Sequence, residues 1–324
     1  MKKKYIFVTV TLLDNLESVY SSIFKLNKFY KISKYVVIVP KNDIEVFKNK
    51  LKVYDNVEII EEDKICCKRK FFNLCNLFIK SKNETQAFRK SWYYQQTLKL
   101  SYVANRKFFS NNNLVIWDAD TIPIKKIKLF NNYNQPCLYG SSYEYHAPYF
   151  MINKILLGSK SSTLNLSCIN QFVALNLQIR KDLRRFLLKF NTLNKIKNND
   201  LFVANAILKA LVLGKNINLK NESKFSEYEF IGNFILNKYN KRKKEQKRIK
   251  FFRNNVDGNL NFIQKLILYI FNYKHITYEK ILNKNQTQTY RKLFSCILRD
   301  LSFYLYLSKI KRIIDSKKYI SNFN

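Results

Sequence analysis

Glycine and proline are scarce, 5 and 4 residues in a chain of 324. That scarcity excludes whole classes of phosphate site. No G-x-G-x-x-G follows the first strand-like run, which weighs against a dinucleotide-binding fold, and there is no P-loop. Whatever phosphate the chain holds, it does not hold on a glycine-rich turn. Histidine is rarer still, with 2 residues, and the 6 cysteines (Cys66, Cys67, Cys75, Cys137, Cys168, Cys296) form no C-x-x-C pair. Zinc-finger spacing is thereby excluded, and the cysteines read as reduced core thiols of a cytoplasmic protein. No uninterrupted apolar stretch approaches the roughly 20 residues that span a bilayer. The start, Lys2 to Lys4 and then Tyr5–Leu13, imitates a signal peptide. Its apolar run is β-branched, is broken by Asp14 and lacks a small-residue cleavage site, so a first strand fits better.

Acidic residues are the last shortage: 23 against 59 Lys and Arg, a formal net charge of +36. Such a surplus favours anionic partners, whether nucleic acid, an anionic membrane face or phosphorylated substrates. The enrichment in Lys, Asn, Ile, Phe and Tyr also carries the signature of AT-rich codons, which produce the bias without a ligand. Lysine dominates over arginine, the residue suited to bidentate base reading, so nucleic acid is disfavoured as a partner. Hydrophobic residues make up 47% and aromatics 15%, enough for a sizeable core.

Strand-like runs and amphipathic stretches alternate along the chain. Tyr5–Leu13, Tyr35–Val39, Val57–Ile60 and Leu114–Trp117 read as strands, and Leu16–Tyr30, Asp43–Leu51 and Ser91–Asn105 as helices. This order predicts an α/β fold with a Rossmann-type parallel or mixed sheet flanked by helices. Cys137–Gly140 reads as a further strand, and Cys168–Phe190 and Asp200–Leu213 as helices. Beyond Leu236 the texture changes. Lys238 to Arg253 is strongly basic, and Leu260–Tyr273 and Arg291–Ile314 are apolar helices with basic edges. The expected division is a main domain over 1–237 and a basic helical C-terminal extension over 238–324. That extension either packs on the main domain or makes peripheral contact with an anionic membrane.

The stretch that points to chemistry is Asn113 to Thr121. An apolar strand ends on Asp118 and Asp120 with one alanine between them. In an extended backbone alternate side chains point the same way, so the two carboxylates can converge on one hard divalent cation. Ligands of open α/β sheets bind past the carboxyl ends of strands, where these acids lie. On the helix before, Trp92, Gln95, Gln96 and Lys99 share a face, from which Lys99 either reaches a phosphate or meets solvent. Tyr143 to Tyr149 is dense in aromatics, with Glu144, Tyr145 and His146 among them, and suits sugar or base stacking. Later, Ser226 and Glu229 make an S-x-x-E capping box. Glu227, at the helix start, is left available as a base or a hydroxyl-orienting group.

Together these segments resemble GT-A-fold glycosyltransferases. More narrowly, they resemble an uncharacterised bacterial family of predicted sugar transferases that pairs a "WYxQQxxKL" helix with "DAD", "YEYHxPY" and "SEYExxGN". Here those are Trp92 to Leu100, Asp118 to Asp120, Tyr143 to Tyr149 and Ser226 to Asn233. Ser91 stands where that family usually has glycine. The resemblance spans roughly the first three quarters of the chain. It implies a nucleotide-sugar donor at the carboxyl ends of the first strands, near Thr9 and Thr11. It also implies Mn²⁺ or Mg²⁺ held by Asp118 and Asp120, and a glycan or lipid-linked acceptor in surface polysaccharide synthesis. Gln95, Gln96, Lys99, Tyr145 and Glu229 are counted with the substrate-binding residues. Glu227, then Glu144, then His146 are the candidate bases for an inverting reaction. His275 is a possible late metal ligand. Nucleotidyl or phosphoryl transfer by the same aspartates, or nucleic-acid binding, are the alternatives.

Overall fold

The structure, a computed structural model, describes residues 4–78, 84–140, 146–158, 167–195, 201–214, 223–239, 247–254, 260–278 and 295. In chain order the elements are β1 (Tyr5–Val10), α1 (Leu16–Phe29), β2 (Ile32–Val39), α2 (Ile44–Leu51), β3 (Val57–Glu61), α3 (Lys68–Phe78), α4 (Glu84–Ala104), β4 (Asn113–Trp117) and β5 (Thr121–Pro123). They continue with β6 (Tyr139–Gly140), α5 (Ala147–Leu157), β7 (Phe172–Leu175), α6 (Leu177–Leu193), α7 (Phe202–Leu213) and α8 (Glu227–Tyr239). The last are β8 (Lys247–Arg248), β9 (Phe251–Asn254), α9 (Phe262–Ile270) and β10 (His275–Tyr278).

The central sheet has the order β3-β2-β1-β4-β7. The first four strands run parallel, and β7 closes the edge antiparallel to β4. The strand period of two divides their side chains between two cores. Ile6, Val8, Val10, Leu114 and Ile116 face a core shared with α3 to α8. Phe7, Tyr35, Val37, Val115 and Trp117 face a second core under α1 and α2. Both faces are covered, which is why these strands read as nearly continuous apolar runs rather than alternating ones. The order reverses between β1 and β4, because β2 and β3 lie to one side and β4 to the other. In open α/β sheets ligands bind at such a switch point, outside the carboxyl ends of the strands. The expected mixed α/β sheet flanked by helices is therefore the observed one.

Two local expectations change. Cys168–Phe190 is not one helix. Phe172–Leu175 pairs with β4, and the Asn176 side chain, accepting from Ile179 N–H, caps a separate α6. A four-residue apolar run carries no periodicity of its own, so only the capping asparagine marked the break. The C-terminal segment contributes α9 as expected, but also strands. β9 and β10 form a small sheet with β5, in the order β5-β10-β9. Their sequences, FFRN and HITY, are aromatic and β-branched, which suits a strand, and Phe251, Phe252, His275, Ile276 and Thr277 are buried. The run Arg291–Ile314 lies outside the described residues apart from Ser295. No helix among the described residues is long and apolar enough to cross a membrane.

Candidate functional site

Asp118 follows directly on β4, and the backbone turns there instead of staying extended. Thr121 N–H donates to Asp118 C=O at 3.2 Å, and the Trp117 indole donates to Thr121 C=O at 2.8 Å. The backbone between the two aspartates is thus a turn, and the pleat argument for their convergence does not apply. Three partners fix the turn. Thr9 Oγ1 donates to Trp117 C=O at 2.8 Å, Asp118 N–H donates to Gln171 C=O at 2.9 Å, and Tyr278 N–H donates to Asp120 C=O at 2.8 Å. Gln171 adopts φ 58°, a left-handed conformation that a side chain takes only when its surroundings hold it there. Thr121 Oγ1 donates to Asp120 Oδ1 at 3.2 Å and also meets Thr277 Oγ1 at 3.1 Å.

Lys99, from the aromatic helix α4, reaches this turn from the interior. Its ammonium lies 2.5 Å from Asp118 Oδ1 and 2.6 Å from Glu227 Oε1. The Lys99 and Glu227 side chains are 3% and 1% exposed, whereas that of Asp118 is 22% exposed. The cluster is therefore closed at its base and open at Asp118. Tyr228 O–H donates to Asp118 Oδ1 at 2.6 Å, and its ring covers the lysine, with Nζ 4.9 Å from the centroid. Gln96 Oε1 accepts from Glu227 N–H at 3.0 Å, satisfying one of the orphan donors at the start of α8.

One cation shared by two carboxylates leaves an uneven balance. Burial costs the lysine some of its charge preference, but Asp118 and Glu227 together hold it charged, well above the ordinary lysine range. Burial pushes the Glu227 carboxyl up; Lys99 opposes this and the Asp118 charge adds to it. Burial and the nearby carboxylates keep the Tyr228 phenol protonated.

The remaining sequence candidates fall as follows. Gln95 is half-buried beside Gln96. Thr9 is fully buried and also bonded to Tyr35 O–H, at 2.8 Å; Thr11 lies just past the end of β1 with its hydroxyl on Leu12 C=O at 3.1 Å. His146 precedes α5 with Nε2 2.8 Å from Ser223 C=O, and its ring packs edge-on to Tyr149. Glu144 and Tyr145 lie outside the described residues. Glu229 does not complete the capping box. Its N–H donates to Ser226 Oγ at 3.4 Å, but its carboxylate accepts from Ser167 Oγ at 2.7 Å, Cys168 N–H at 2.8 Å and Asn233 Nδ2 at 2.8 Å. His275 is buried, stacked on Phe251 and flanked by Trp117 and Phe172. Burial, with Arg253 adding to it, drives its pKa down to about 3, so it is a neutral core ring.

Sequence reading missed Tyr228 and Gln171. Tyr228 was visible only as the residue between two noted glutamates. Gln171 stood in a segment read as helix. Arg253 was also missed. With the Gln171 amide oxygen assigned toward it, Arg253 Nη2 donates to that oxygen at 2.7 Å, which brings a guanidinium to the residue that holds Asp118.

Residues 11–160 match a family of unknown function, DUF6492. No curated protein matches the chain. Several solved structures resemble it loosely. A galactosyltransferase, LgtC, in complex with donor and acceptor sugar analogs, aligns over 90% of this chain and 95% of its own at 9% identity, with a TM-score of 0.40. Mouse xyloside xylosyltransferase 1 aligns over 85% of this chain and 98% of its own at 9% identity, with a TM-score of 0.43. A 4-diphosphocytidyl-2C-methyl-D-erythritol synthase from Anaerococcus prevotii aligns over 36% of this chain at 11% identity, with a TM-score of 0.22, and the chain spans 44% of its length. Superpositions this loose transfer no role to any residue.

Proposed function

We propose that this chain is a metal-dependent glycosyltransferase of the hexosyltransferase type. In this reading it moves a sugar from a nucleotide-diphosphate donor to a glycan or lipid-linked acceptor in bacterial surface polysaccharide synthesis. One observation carries the reading: three segments far apart in sequence, 96–99, 118–120 and 227–228, meet at the carboxyl end of β4, and of the salt-bridged carboxylates there Asp118 is the more exposed.

The carboxylates suit a hard divalent ion. The bonds from Lys99 and Tyr228 both fall on Asp118 Oδ1, so Oδ2 is the atom to turn to an ion, with Asp120 beside it on the same turn. Among the described residues no group of three His, Cys, Asp or Glu forms a ligand set. Two carboxylates with the remaining positions filled by water and substrate phosphates is the pattern Mg²⁺ and Mn²⁺ prefer. When bound, such an ion neutralises the charge that develops on the departing diphosphate. The chain's own contribution is positioning. Lys99 and Tyr228 fix the Asp118 carboxylate, and Glu227 fixes Lys99. Glu227 is enclosed and faces the lysine, so it acts as a positioning residue in this reading.

A screen of nucleotide sugars with and without Mn²⁺ tests the proposal. Metal-dependent release of nucleoside diphosphate is expected, and Asp120→Ala should lower it roughly a hundredfold or more at little cost in stability. Equal turnover by Asp120→Ala, or no metal-dependent donor binding by the wild type, overturns it. Pyrophosphate release from a nucleoside triphosphate would assign nucleotidyl transfer instead.

A further inference from the structure

Helix α9 is an exception on this surface. Of its nine residues, Phe262, Ile263, Leu266, Tyr269 and Ile270 are 78%, 61%, 44%, 51% and 66% exposed. The helix is nevertheless well built. Asn261 and Gln264 form a reciprocal capping box at its start, and Gln264 and Leu268 are buried, with Ile267 half-buried on Phe252, Leu260, Tyr273 and Ile276. At about 100° per residue, the five exposed apolar side chains occupy a continuous arc of roughly 120°, opposite the buried side. A folded, capped helix that turns a whole apolar stripe outward is unusual on a soluble surface.

The stripe has a basic border. The Lys125 ammonium sits 4.1 Å from the Tyr269 ring centroid, Lys265 is exposed on the same flank of the helix, and Lys274 follows its end. Lys125 and Lys274 both donate to Asn272 Oδ1, at 3.4 and 2.9 Å. No ion pair among the described residues involves any of the three. Lysines that pair with no carboxylate among the described residues, set beside an apolar stripe, complement a surface that is apolar within and anionic at its rim.

We propose that the α9 face, bordered by Lys125, Lys265 and Lys274, binds the interface of an anionic lipid bilayer, with the helix lying in the plane of the membrane. The apolar stripe enters the acyl boundary and the ammonium groups meet lipid phosphates. The strand after α9 ties this face to the carboxylate turn, because Tyr278 N–H donates to Asp120 C=O. The surface is defined by its own geometry and does not depend on the reaction catalysed.

Flotation of the full-length protein with vesicles of phosphatidylcholine, alone or mixed with phosphatidylglycerol, tests this. Binding to the mixed vesicles only is expected. The triple variant Phe262→Ser, Ile263→Ser, Ile270→Ser should weaken it about tenfold or more. Lys125→Gln with Lys274→Gln should weaken it several-fold and reduce its sensitivity to salt. Should the triple variant fold poorly, Phe262→Trp gives a second readout: its added fluorescence should shift to the blue and be quenched by brominated lipid. The proposal is overturned by absence of wild-type flotation, or by undiminished binding of the triple variant, which would place the contact elsewhere on a chain of charge +36. It is equally overturned if the apolar substitutions convert a dimer to a monomer without lipid, since a second copy would then be what covers the stripe.

Discussion

Glu227 and Glu229 stand two residues apart at the head of α8, each 1% exposed, and their surroundings are opposite in kind. Residues two apart on a helix point to nearly opposite sides. Glu227 turns toward α4 and β4, where Lys99 meets it at 2.6 Å and is shared with Asp118. Glu229 turns toward residues 167–168 and is surrounded by neutral donors: a serine hydroxyl, a backbone N–H and an asparagine amide. Burial acts first on both, raising the pKa of each. At Glu227 an ammonium opposes it; at Glu229 only hydrogen bonds do, and the carboxyl is pushed up to about 7. Of these two buried carboxylates, Glu227 is held by a charge and Glu229 by dipoles alone.

Removing the cation breaks the comparison most severely. Lys99→Met leaves Asp118 and Glu227 facing each other without a counter-charge. A loss of about 3–5 kcal/mol in denaturant unfolding is expected, as for any buried ion stripped of its partner. Adding Glu227→Gln should restore part of it, because one of the two stranded charges is gone. A Lys99→Met protein as stable as wild type would mean the ammonium does not hold the cluster. The next effect lies on the other side of α8. A Cβ at Gly232 would come within 2.3 Å of Cys168 Sγ and 2.5 Å of its Cβ, so the helix and the segment that binds Glu229 are in direct contact there. Gly232→Ala should cost about 1–3 kcal/mol, and Cys168→Ala in the same chain, which removes Sγ but keeps the Cβ, should relieve part of it. Additive effects of the two substitutions would refute the contact.

The contrast also explains what the sequence disclosed. YIFVTV, YVVIV and NLVIW are strands on any reading, because strands buried on both faces must be apolar at every position. Asp118, Asp120, Gln96 and Lys99 were identifiable because strand ends and helix faces are local properties. The link from Lys99 to Glu227 spans 128 residues and follows from no local period. The same holds for Glu229. Its S-x-x-E spacing signalled a cap, but a buried backbone N–H at Cys168 and the Ser167 hydroxyl compete for the carboxylate and win. The Asp118–Thr121 turn was hidden because extended and turn backbones share the same D-x-D letters. The tie that sets it, Tyr278 N–H to Asp120 C=O, comes from a strand at the far end of the described chain.

A pH series isolates Glu229. Its folded value of about 7 lies above the ordinary 4.5, so between those limits the folded chain keeps a proton that the unfolded chain has released. Stability from this group is complete below pH 4.5, falls as pH rises toward about 7 and is level above it, by an amount on the order of 3 kcal/mol. Glu229→Gln removes the titration while its carbonyl still accepts from Ser167 and Cys168. Urea midpoints of the variant should therefore decline less than those of wild type across that range. Because the glutamine amide places a donor against Asn233 Nδ2, the variant should be somewhat less stable than wild type at pH 4.5 and overtake it near pH 8. Parallel curves for the two proteins would show that Glu229 takes up no proton across that range, and the distinction between the two sides of α8 would collapse.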